Sequence, residues 1–103
     1  MLSAGRIRHT VSFTLAHPAG SEDERDFLDA ARSLAGIPGV EAFEVLAEVS
    51  PKNGFRYGIS MEFAGQAAYE AYNAHPDHVR FVEERWLKEV EDFLEIDYAP
   101  IAS

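Results

Sequence analysis

Tyr72, His75 and His78 fall within seven residues, Tyr72-Asn-Ala-His-Pro-Asp-His78, and two of the chain's four histidines stand there around Pro76. Imidazole changes charge near neutral pH and a phenol donates a strong hydrogen bond, so these side chains are equipped for general acid–base work. His78 falls near the start of the helix that Pro76 and Asp77 are suited to open. There the helix dipole disfavours imidazolium, which keeps the ring a neutral base. Tyr72 lies six residues earlier, across the proline break, and a chain reversal there brings its phenol beside the imidazole. Abstraction of a proton α to a carbonyl, with a phenol or a second histidine stabilising the enolate, is the reaction this set supports.

Each residue also has a purely structural reading. His75, next to a proline, reads as a helix cap or a packing residue. His78 reads equally as a helix-start histidine bonded to a backbone carbonyl. His75 and His78 have a spacing compatible with chelation, but Pro76 breaks the helix between them and no third ligand stands out, so no metal site is expected. Cysteine is absent, which removes disulfides, thiolate catalysis and thiolate metal sites. No cofactor is expected.

The elements that must position these groups follow from periodicity. Ile7, His9, Val11, Phe13 and Leu15 alternate with Arg8, Thr10, Ser12 and Thr14, the pattern of a strand with one apolar face. His9 is the polar exception on that face. Ser21 with Glu24 forms a capping box, and Phe27, Leu28, Ala31, Leu34 and Ala35 make a helical stripe closed by Gly36, Pro38 and Gly39. A second strand is predicted over Val40 to Val49 and a third over Arg56 to Phe63, with Tyr57, Ile59, Met61 and Phe63 on one face. A short helix over about Gln66 to Ala74 stops before Pro76, a longer one runs to about Asp92, and Phe93 to Tyr98 closes the chain as a strand.

The order β-α-β-β-α-α-β predicts an α+β, ferredoxin-like plait: an antiparallel four-stranded sheet with helices on one face. One domain over residues 1–103 is expected, with its ordered core at about 6–98. His9, Tyr57, Tyr72 and His78 would converge on an apolar pocket walled by Phe27, Leu28, Ala31, Phe81 and Trp86, the usual signature of a small-molecule site. The other sheet face is mixed and small, with Thr10, Ser12, Leu46, Gly58 and Ser60, which permits a second copy's sheet to approach and form a barrel.

A formal net charge of −9 opposes phosphate backbones and anionic membranes, and no basic patch interleaved with aromatics suggests nucleic acid. The opening segment has no signal-like apolar core and no run approaches a membrane span, so a cytoplasmic protein is expected.

The segments IRHTVSF, GIPGV, MEF, AYNAHPDHVRFV and EIDYAP, in this order, resemble the stress-responsive α/β-barrel (Dabb) domain family. The resemblance implies a homodimer whose two sheets face each other, and a fold similar to the small antibiotic-biosynthesis-type monooxygenases. Three roles follow from it. The first is a stress-response protein with a small apolar ligand pocket; the second is a cofactor-free lyase or cyclase acting on a polyketide-like or β-dicarbonyl substrate. The third, a cofactor-independent monooxygenase, rests on the fold alone. In one plant member, a polyketide cyclase, the acid–base pair is a tyrosine and the second histidine of an HPxH motif, which correspond here to Tyr72 and His78. His9 matches its first-strand histidine, and Tyr57 stands where it has another histidine.

Overall fold

Strict alternation makes β1 (Ile7–Leu15), which buries His9, Val11, Phe13 and Leu15 and leaves Arg8, Thr10, Ser12 and Thr14 half-exposed. Three further strands follow: β2 (Glu41–Ala47), β3 (Tyr57–Phe63) and β4 (Val90–Tyr98). The computed structural model describes residues 2–101, and in it they form one antiparallel sheet of order β2-β3-β1-β4. The remaining ends of the expected domain, residues 1, 102 and 103, lie outside the described residues. Helices α1 (Glu22–Arg32), α2 (Gln66–Ala74) and α3 (Pro76–Phe81) cover one face, as the ferredoxin-like plait requires.

Side-chain chemistry explains the helix starts. Ser21 Oγ accepts the backbone N–H of Glu24 at 3.1 Å, and Glu24 Oε1 accepts the N–H of Gly20, one residue before the donor of an ideal capping box. Phe27 and Ala31 are fully buried, and a 3₁₀ turn (Ser33–Gly36) then buries Leu34. That tighter turn rotates Ala35 out of the expected stripe and into solvent. The core is dominated by ring contacts: Phe13 meets Phe27, Tyr57 and Trp86, while Phe63 meets Tyr69 and Tyr72.

Boundaries differ from the sequence expectation most at β2 and at the last helix, while β3 starts one residue later and β4 three residues earlier than expected. β2 is shorter than Val40 to Val49, because its pairing ends at Ala47 opposite Tyr57 and leaves Val49 exposed. Its entry is bulged between Glu41 and Glu44, where Ala42 adopts φ 50°. The last helical region ends at Glu89 instead of about Asp92. The Glu89 carbonyl accepts the N–H of Ala16 and Val90 already pairs with Leu15, so sheet pairing takes over. Between Phe81 and that end the helix widens into a π-helical turn (Val82–Trp86), followed by Leu87–Glu89.

The uncovered sheet face carries Thr10, Ser12, Gly58 and Ser60, together with exposed Leu46, Leu94, Ile96 and Tyr98. Arg6, Arg8, Glu41 and Glu62 form a chain of ion pairs toward one end of the sheet.

Candidate active site

Pro76 determines the geometry. His75 precedes it and is held extended (φ −64°, ψ 134°), which ends α2 and starts α3 in one residue. His75 Nδ1 accepts the N–H of Asp77 at 3.1 Å, so this histidine is a cap. The chain turns there, and the His78 ring comes to rest against the Tyr72 ring with centroids 4.4 Å apart.

Both rings line one cavity of about 260 Å³ between the sheet and the helices. β1 and β3 supply His9, Val11, Ile59 and Met61 as its floor; Leu34, Phe81, Val82, Trp86 and Leu87 cover it; Phe93 and Glu95 of the edge strand β4 stand at its side. Trp86 and Phe93 meet edge-on at 5.5 Å. The cavity is thus an apolar space with a few polar groups aimed into it.

The hydrogen bonds fix which atoms those are. His78 Nδ1 donates to the backbone carbonyl of Asn73 at 3.2 Å, which leaves the lone pair on Nε2. Burial pushes the imidazole below its ordinary value of 6.5, against a smaller upward pull from the Asn73 carbonyl. His78 is therefore neutral at neutral pH. The Tyr72 phenol is raised well above 10.0 by burial, so it remains a proton donor. No buried side-chain nitrogen or oxygen among the described residues lacks a partner. Tyr72 and His78 both line the cavity, and no hydrogen bond from a described residue engages the Tyr72 hydroxyl or His78 Nε2.

His9 is held differently. Its Nδ1 donates to Asp97 Oδ1 at 2.6 Å, and the Tyr69 hydroxyl donates to Asp97 Oδ2 at 2.8 Å while lying 3.0 Å from His9 Nδ1. This network fixes the His9 ring in the cavity floor, 6.3 Å between centroids from Tyr72. Burial, and next the bond to Asp97, raise the Tyr69 phenol above 10.0.

Five of the nine residues expected in the site, His9, Tyr72, His78, Phe81 and Trp86, line the cavity, and four do not. Phe27 and Ala31 sit in the core and Leu28 packs against it, one layer away from the cavity. Tyr57 shares a sheet face with His9 but stands opposite Phe13, whereas His9 stands opposite Met61, four residues along the strand. At about 3.3 Å per residue that separation places the two rings roughly 13 Å apart along the strand. The Tyr57 hydroxyl donates to the Glu24 carboxylate instead, and burial together with that bond pushes the phenol up to about 12. Sequence reasoning missed Tyr69, Asp97, Asn73 and Glu95. Tyr69 was signalled by its spacing of three from Tyr72 on one helix, which places both on one face. Among the described residues no three His, Asp or Glu side chains are arranged to hold a metal ion.

Residues 7–100 match the family model of the Stress responsive A/B Barrel Domain, Dabb. The chain belongs to the Dabb family. A Dabb protein with a ferredoxin-like fold from Mesorhizobium loti is 57% identical, with 95% of this chain and 99% of that one aligned at a TM-score of 0.93. A dimeric protein of unknown function from Bacteroides fragilis is 21% identical (92% and 96% covered, TM-score 0.70). A hydroxynitrile lyase from Passiflora edulis is 15% identical (98% of both chains, TM-score 0.84), a likeness of fold. No curated protein matches the chain. No helix among the described residues is long and apolar enough to cross a membrane.

Proposed function

We propose that this Dabb protein is a cofactor-free acid–base enzyme, a lyase or cyclase acting on a small, largely apolar carbonyl compound of the polyketide or β-dicarbonyl type. The observation that carries this reading is that His78 and Tyr72, ring against ring, line one apolar cavity, with burial holding the imidazole below 6.5. His78 Nε2 takes a proton from the carbon next to the carbonyl. The C–H electron pair moves into the enolate, and the Tyr72 hydroxyl donates a hydrogen bond to the oxygen on which charge builds. The proton on His78 is then available to the product oxygen or the leaving group. The apolar surroundings of the buried Tyr72 ring strengthen both interactions. A lyase among the proteins that share this fold is consistent with that class of reaction.

The working unit is a homodimer. The uncovered sheet face combines small residues with exposed Leu94, Ile96 and Tyr98, and the Bacteroides fragilis neighbour is dimeric. A second sheet laid on this face would bury the apolar row and leave the helix-side cavity in each subunit.

The test is deuterium exchange at the methyl carbon of acetophenone, followed by NMR with and without protein. The protein accelerates exchange over buffer, and His78→Asn lowers the acceleration by about 100-fold or more. Equal exchange with wild-type protein and with buffer overturns the enzyme reading.

A further inference from the structure

Glu95 is the one formally charged side chain lining the cavity. It stands on β4 opposite Val11, on the same face as Phe93 and Asp97. Both oxygens of Asp97 are engaged, by His9 and Tyr69, whereas no hydrogen bond or ion pair joins the Glu95 carboxylate to another described residue. Its field reaches the reactive pair: it contributes upward shifts to both the Tyr72 phenol and the His78 imidazole. No lysine or arginine lines the cavity to offset it, and the chain as a whole carries −9.

We propose that Glu95 sets the substrate class: the cavity takes neutral carbonyl compounds bearing a hydroxyl donor at the end away from the carbonyl, and rejects those bearing a carboxylate. This rests on the acid–base reading of the same site. A carbonyl group held at Tyr72 directs the remainder of a small ligand along the apolar floor toward β4. A hydroxyl there donates to the Glu95 carboxylate in a charge-assisted bond. A carboxylate there meets a like charge with no cation to relieve it. The volume, about 260 Å³, lies just under the ~300–1,000 Å³ typical of drug-sized sites, which suits a ligand of one ring.

Three matched aryl ketones test this: para-methylacetophenone, para-(hydroxymethyl)acetophenone and para-acetylbenzoate. Each is titrated into wild-type and Glu95→Gln protein, with the Trp86 indole and His78 imidazole NMR signals as readouts. In wild type the hydroxymethyl compound binds more tightly than the methyl compound, and the carboxylate at least about tenfold more weakly. Because Glu95 is exposed, added salt narrows that gap. Glu95→Gln raises the affinity for the carboxylate relative to the methyl compound by at least about threefold, and the gap that remains is the desolvation cost of the carboxylate. If the ketones bind but wild type does not discriminate, or if Glu95→Gln leaves the ratio unchanged, the role of Glu95 is refuted and the acid–base reading survives. If none of the three shifts either signal, the acid–base reading fails and takes the role of Glu95 with it.

Discussion

Tyr72 and His78, on opposite sides of Pro76, pack with ring centroids 4.4 Å apart and ring planes tilted by 48°, and both line the same apolar cavity. Three residues away on the same helix face, Tyr69 is tied to Asp97 and His9. The two tyrosines thus have opposite relations to the fold, one with a free hydroxyl and one with a committed one.

That contrast predicts opposite responses to removal of each hydroxyl. Tyr72→Phe leaves stability within about 0.5 kcal/mol of wild type, because no protein hydrogen bond is lost. Tyr69→Phe costs about 1–3 kcal/mol, because the Asp97 carboxylate loses a hydrogen-bond donor. Urea unfolding of the two variants checks this. Ketone exchange should fall in Tyr72→Phe although its fold is intact.

Tyr57→Phe supplies the converse. Its hydroxyl bonds Glu24 away from the cavity, so this variant should lose about 1–2 kcal/mol of stability and keep the full rate of ketone exchange. A loss of activity without a loss of ligand-free stability would place Tyr57 in the chemistry after all.

Acid should weaken the fold in two stages. The folded His78 imidazole has a value below 6.5, so between that value and 6.5 the unfolded chain binds more protons than the folded one. Stability therefore rises with pH across this window and is lost as pH falls through it. Glu24, held low by the Tyr57 hydroxyl, and Glu62, held low by Arg8, act in the same direction below 4.5. Urea midpoints should be level near pH 7, decline below 6.5 and fall further below 4.5, and His78→Asn should abolish the first decline alone.

The dimer prediction concerns the uncovered sheet face. Leu94→Asp places a charge among Ile96, Tyr98 and the small residues of β1 and β3. Light scattering should report a dimer for wild type and a monomer for this variant, with the same circular dichroism for both. A wild-type monomer at micromolar concentration would contradict it.

Much of the fold was legible because its signals are local. The alternation of β1 and β3, the Ser21 cap and the Pro76 break each act over a few residues, and the structure follows them closely. Placement within a face was less legible. Periodicity assigns Tyr57 and His9 to one side of the sheet but does not say that antiparallel pairing puts them at different ends of it. Phe27, Leu28 and Ala31 were misplaced for a related reason: an apolar stripe says that a helix packs on the sheet, not over which part. The Asp97 partnership was invisible because it joins residues 88 apart, and the EIDYAP segment marks Asp97 without naming its partner. Glu95 carried no signal of its own in the sequence, since its place beside the cavity follows from the register with Val11.

The most direct test of the central claim is an imidazole NMR titration of ¹⁵N-labelled protein with and without acetophenone. The account predicts that His78 carries its proton on Nδ1, titrates below pH 6.5 and shifts when the ketone is added. A His78 that titrates above 6.5, with signals indifferent to saturating ketone, would contradict it.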